Sequence, residues 1–166
     1  MQKVLGSIAV LISCVGIGIE KAQELQRHLT ELELLKRIFT ILKKEMEYTK
    51  APFSELFLKM SKKVEGIHGE WLNNLAENLC KYEQETFYEI WNKELEKLFE
   101  ESKLSKKEKE ELRQLGKSMG YIEGIELYLT QLEFSIEQTK AEIGNKKKLC
   151  VSLGVMGGIF LVIILL

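Results

Sequence analysis

The two ends of this chain carry no charge, and everything between them is charged and helical in pattern. Residues 4–19 contain no Asp, Glu, Lys or Arg, and neither do residues 149–166. A single helix of ~20 apolar residues crosses a bilayer. The second segment comes close to that length, and the first is somewhat short. If both insert, residues 20–148 form one domain tethered at both ends to one face of a membrane. The expected organisation is a transmembrane helix over 1–19, a helical bundle over 20–148 and a second transmembrane helix over 149–166.

Basic residues beside a spanning helix favour the cytoplasmic side. Lys146, Lys147 and Lys148 abut the second apolar segment, and Lys21 and Arg27 follow the first. Lys3 is a weak counter-signal. The reading is a cytoplasmic domain with both termini across the membrane. The first segment has two rival readings. No good small-x-small cleavage site follows it before Glu20, which argues against a signal peptide. Leu11-Ile12-Ser13-Cys14 resembles a bacterial lipobox, but residues 15–19 continue the apolar run where lipidation needs a break. That reading would also put the domain outside, against the lysine triplet.

Bulk composition excludes several classes. Charged residues are 30% of the chain and the formal net charge is −1, so the chain is not built to bind a polyanion such as nucleic acid. The three cysteines form neither a C-x-x-C nor a Cys/His cluster, so they imply no disulfide framework and no metal site. The single proline, Pro52, suits long uninterrupted helices.

The middle reads as an all-α antiparallel bundle. Leu25, His28, Leu32, Leu35, Phe39, Leu42 and Met46 recur at spacings of three and four. Leu29, Ile38 and Ile41 widen that stripe, which implies burial against more than one neighbour. Ala51-Pro52 stops this helix, because the residue before proline avoids the α region. Ile122, Ile125, Leu129, Leu132, Ile136, Thr139 and Ile143 repeat the design towards the second apolar segment. The two long helices are expected to pair antiparallel. Between them the pattern predicts a short helix from Pro52 to about Val64, with Phe53, Leu56, Phe57 and Met60 inward. A loop follows at Gly66-Ile67-His68-Gly69. One long helix then runs from Glu70 to about Glu101, with Leu72, Leu75, Leu79, Tyr82, Phe87, Ile90, Trp91 and Leu98 as its core side. Ser105-Lys106-Lys107-Glu108 is a capping box, and the helix it starts runs to Met119 or Gly120.

No phosphate loop, dinucleotide fingerprint, nucleophile motif or metal-ligand spacing occurs. The chain is read as no enzyme and as needing no cofactor. His28 and His68 read as core or surface histidines, since no acid or nucleophile is locally placed to pair with either. Trp71 and Trp91 read as core packing, with an interface anchor as the alternative. Gly116, Gly120 and Gly124 recur every four residues. In one helix they would make a flat packing face; alternatively Gly120 ends a helix in the left-handed conformation glycine favours. The break at Gly120 is preferred, because three glycines weaken a helix. Gly154, Gly157 and Gly158 make a small-residue face in the second apolar segment, of the kind that lets helices pack closely in lipid. Two functional readings result. One is a platform that docks a partner on the exposed faces of residues 52–120, for which Lys106, Lys107 and Lys109 are a testable face. The other is a structural scaffold that oligomerises through its glycine-rich spans. Spans free of ionisable residues argue against a small transporter.

Several stretches together carry a family resemblance. They are Lys3-Val4-Leu5-Gly6 before an apolar run, Glu45-Met46-Glu47-Tyr48 before Pro52, and Leu115-Gly116-Lys117-Ser118-Met119-Gly120 with Glu123 three residues on. The stretch from Leu153-Gly154 through Gly157-Gly158 to the final apolar residues adds to them. Across its whole length the chain resembles the stage III sporulation protein AB family of endospore-forming bacteria. Leu127 departs from that pattern, where a glutamine is expected. The resemblance implies a membrane component of a channel complex between mother cell and forespore, in the mother-cell membrane that faces the forespore. It implies a helical domain similar to the cytoplasmic domains of the type II secretion platform protein. It also implies a secretion-type ATPase, stage III sporulation protein AA, as partner, beside other components of the channel.

Overall fold

The computed structural model describes the backbone of residues 2–81 and 84–165. It describes the side-chain surroundings of residues 23–81 and 84–146, with those of Lys148, Leu149, Ser152 and Met156. Among the described residues there are six helices and no strand: α1 (Gln2–Tyr48), α2 (Phe53–Ser61), α3 (Ile67–Lys81), α4 (Phe87–Glu101), α5 (Lys106–Ser118) and α6 (Ile122–Leu165). They divide into two units, residues 1–30 with 136–166, and residues 31–135.

The unit of residues 31–135 is a bundle with a continuous apolar core. Its part of α1 buries Leu32, Leu35, Ile38, Phe39 and Leu42, the wide stripe expected from the spacing. α6 buries Ile125, Tyr128 and Leu132 against it. Lys36 pairs with Glu133 at 2.9 Å and Lys43 with Glu126 at 2.6 Å. Seven residues forward on α1 thus match seven residues back on α6, which is the antiparallel arrangement. In the unit of residues 1–30 and 136–166, Leu29, Ile136 and Thr139 are buried.

Local chemistry sets the breaks. α1 ends at Tyr48, ahead of Pro52, which sits at the N-cap of α2 with extended angles (φ −66°, ψ 151°). The loop expected at residues 66–69 is shorter than that. Gly66 alone takes a left-handed conformation (φ 71°), a region open to glycine at little steric cost. Ile67, His68 and Gly69 already belong to α3. A Cβ on Gly69 would lie 2.0 Å from the Val64 carbonyl oxygen, so α3 starts tight against the preceding turn.

The single long helix expected over 70–101 is two helices. Thr86 caps α4: its side chain accepts from the Glu89 N–H, and the Glu89 carboxylate accepts from the Thr86 N–H at 2.8 Å. This reciprocal box satisfies donors that a helix start otherwise leaves bare. The box at Ser105 and Glu108 does the same for α5.

Among the described residues, no helix is long and apolar enough to cross a membrane. The spans expected over 1–19 and 149–166 fall almost entirely on residues whose side chains lie outside that description.

Candidate functional site

Trp91 is the side chain on which the bundle converges. It is fully buried, and its ring lies 6.5 Å from Phe39 of α1, 6.3 Å from Phe57 of α2 and 5.1 Å from Trp71 of α3. Its Nε1 donates to the Leu112 carbonyl of α5 at 3.1 Å. A buried indole N–H needs such a partner. Phe39 carries the cluster on to Tyr128 of α6, with ring centroids 5.0 Å apart. Gly116 lies directly over the indole, and a Cβ there would come within 2.3 Å of Trp91 Cδ1. The glycine at this position is what lets α5 approach α4 closely.

A second convergence is polar. Glu31 of α1 lies 3.3 Å from His68 Nε2 of α3, and both side chains are buried, 7% and 6% exposed. The other Glu31 oxygen accepts from the Lys103 backbone N–H at 2.7 Å. Burial pushes the Glu31 carboxyl up. The His68 hydrogen bond, the Lys103 amide, the His68 charge and the Ser102 hydroxyl outweigh it and hold the group below its ordinary value of 4.5. One carboxylate therefore ties α1 to α3 and to the α4–α5 connection. No reactant reaches a pair so enclosed, so the arrangement acts as a latch rather than a reaction centre. Close by, burial pushes the Tyr128 hydroxyl well above 10, helped by the negative charges of Glu111, Glu108 and Glu31. Among the described residues, no group of His, Cys, Asp and Glu could hold a metal ion.

The residues singled out from sequence fall in different places. Gly116 packs on Trp91. Gly120 lies in the turn between α5 and α6, with open space around it. The helix does stop here, but without a left-handed residue, since Gly66 is the one positive-φ glycine among the described residues. Lys146 is half-buried and Lys148 exposed, while the side chains of Lys147, Gly154, Gly157 and Gly158 lie outside the described residues. Of the three lysines on the α5 face, Lys106 is exposed. Lys107 pairs with Glu111 at 3.6 Å and lies over the Phe134 ring. Lys109 donates to the Phe99 carbonyl at 2.9 Å, where it serves the C-terminal end of α4. Of the three, Lys106 is therefore the one whose change leaves the described contacts of α5 in place, while a change at Lys107 gives up its contacts with Glu111 and Phe134.

Glu31, Glu94 and Tyr128 escape a purely apolar reading of the stripes. Each was detectable by position. Glu31 lies three residues after His28 and four before Leu35. Glu94 stands in the same way between Trp91 and Leu98, and Tyr128 between Ile125 and Leu132. A charged or hydroxylic residue inside a seam is the signal that the core carries a polar group at that position.

Three comparisons bear on this architecture. The family model described as Stage III sporulation protein AB matches residues 3–166. The protein Stage III sporulation protein AB of Bacillus subtilis (strain 168) is 23% identical, with 100% of both chains covered. A solved structure of Stage III sporulation protein AB is similar with a TM-score of 0.66 at 21% identity. It covers 71% of this chain and 97% of that one. At that identity the likeness speaks for the helical fold.

Proposed function

The chain belongs to the stage III sporulation protein AB family, and from that premise we propose that it is a membrane-anchored platform in a sporulation complex. Its helical bundle docks a secretion-type ATPase and is held at the membrane by residues 1–19 and 149–166. The observation that carries this reading is the pairing of a closely tied bundle with two flanking runs, residues 4–19 and 149–166, free of charged residues. In that bundle Trp91 touches α1, α2, α3 and α5 at once, and the buried Glu31–His68 pair is spent on holding helices together. A body so cross-braced suits the transmission of position or force better than chemistry at a reaction centre.

The test is binding of the full-length protein, in detergent micelles, to the purified sporulation ATPase with and without nucleotide. Saturable binding in at least one nucleotide state is the expected result, and no binding in any state overturns the docking reading. Lys106→Glu with Lys107→Glu is expected to weaken binding if the α5 face is used; unchanged binding excludes that face.

The anchoring half is tested separately through Cys80, a free and exposed thiol. With the domain cytoplasmic, a membrane-impermeant maleimide labels Cys80 in lysed cells but not in intact protoplasts. Labelling in intact protoplasts would place the domain on the other side.

A further inference from the structure

On the outer side of α6 two large apolar side chains stand in the open: Leu127 is 62% exposed and Phe134 53%. They are seven residues apart, which puts them on one side of the helix. Gln131, half-buried, lies four residues after the first and three before the second. The three side chains therefore follow the spacing of a heptad seam, with a polar member at its centre. The two edges of this stripe differ in charge. On the edge towards α1 stand Glu126 and Glu133, each more than half exposed and each holding its lysine, Lys43 or Lys36, through Oε1. On the edge towards α5 stands Lys107, whose ammonium lies 5.3 Å from the centre of the Phe134 ring. Residues 122–135 of α6 carry three carboxylates and no basic side chain, so whatever covers the stripe must bring the positive charge. The α5 edge of the same protein offers it.

We propose that this stripe is a contact between two copies of the chain, with their α6 helices side by side and parallel. Charge chooses the orientation. A two-fold axis running along α6 sets opposite edges against each other, so Lys107 of each copy faces Glu133 of the other. An axis running across α6 sets like edges together and opposes carboxylates to carboxylates, which destabilises the pair. Parallel alignment also places Leu127 on Leu127 and Phe134 on Phe134. It brings the two Gln131 amides together, and a polar pair inside a seam fixes its register. Two copies held in one membrane by residues 149–166 present α6 in the same direction, which is the parallel arrangement. The proposal rests on that anchoring reading for its strength. Two turns of helix bury less than the ~1,200–2,000 Å² of a stable interface, so the contact is weak in bulk solution and depends on the local concentration that a shared membrane supplies.

The test is disulfide trapping of the full-length protein in lipid vesicles, with Cys14, Cys80 and Cys150 replaced by serine. Under copper phenanthroline, Leu127→Cys is expected to form a disulfide dimer with itself. A mixture of Leu127→Cys chains with Phe134→Cys chains is expected to give little of the mixed dimer. A predominant mixed dimer means antiparallel packing and overturns the proposal, as does the absence of any dimer. In the Leu127→Cys chain, Phe134→Glu and Lys107→Glu are each expected to lower the trapped fraction several-fold with the helical spectrum unchanged. Adding Glu133→Lys to Lys107→Glu is expected to restore it, because the exchange rebuilds the pair across the contact with its signs reversed. A trapped fraction indifferent to Phe134→Glu would mean that the glycine-rich segments alone bring the copies together, and no recovery on the charge exchange would mean that the edges do not meet. Either result overturns the proposal. Flotation of the protein with the vesicles measures anchoring separately, and the ATPase takes no part, so a failure of pairing is separable from a failure of the platform reading.

Discussion

Trp91→Ala is expected to lower the unfolding free energy by ~3–5 kcal/mol, the range for removing a large aromatic from a packed core. Much of a bundle's net stability is of that order, so the variant should unfold at markedly lower denaturant or fail to accumulate. The cause is positional. The indole fills the space between α1, α2, α3 and α5, and its N–H satisfies the Leu112 carbonyl. Denaturant unfolding of the full-length protein in micelles, read through Trp71 emission, measures it. Gly116→Ala probes the same contact from the other side. Alanine raises helix propensity by about 1 kcal/mol over glycine. Overpacking against an indole that cannot give way costs ~1–3 kcal/mol, so a net loss is expected. Trp91→Phe combined with Gly116→Ala should then lose less than the two single changes added together, because the smaller ring leaves room for the methyl group. Strict additivity would mean that Gly116 does not depend on the indole.

Glu31→Ala should cost about as much, ~3–5 kcal/mol, because it strands a buried imidazole without its partner. Replacing both Glu31 and His68 by leucine should cost far less, since exchanging both members of a buried polar pair for apolar groups is often nearly neutral. The pair also predicts an acid limit. Glu31 is held below 4.5 in the folded state, so the folded protein binds that proton less readily than the unfolded chain. The resulting stability is fully present above pH ~4.5 and is lost as pH falls through the lower folded value. Glu31→Gln should flatten that part of the stability–pH curve. A wild-type curve that is flat from pH 6 to pH 3, or one unchanged by Glu31→Gln, would show that the latch contributes nothing.

Much of this fold was legible from spacing alone. The stripes of α1 and α6 are periodic over many turns, and most of their middle apolar residues are buried, from Leu29 to Leu42 and from Ile125 to Ile136, while Leu25, Met46, Ile122 and Ile143 at the ends are half-buried. Pro52 and the box at Ser105 and Glu108 are local signals that act through their own backbone, so they could be read without tertiary knowledge. The break within residues 70–101 was legible too, through Thr86-Phe87-Tyr88-Glu89, but the apolar pattern on both sides of it continues in helical register and concealed the interruption. Gly120 was read as a stop for a reason the chain does not use: the turn forms without a left-handed residue, so the choice of glycine there is not explained by backbone angle.

The sequence by itself determined the class of this protein. Helical periodicity, one proline, absent catalytic spacings and two uncharged ends follow from the order of residues, and they restrict the chain to a helical body between apolar segments. Only the tertiary structure decided which residues meet. That Gly116 exists for Trp91 and that Glu31 answers His68 depend on which faces of separate helices come together. Partners 25 or more positions apart along the chain leave no trace in local spacing. The desolvation that gives each pair its energy comes from neighbours on still other helices, so it exists only once the bundle has closed.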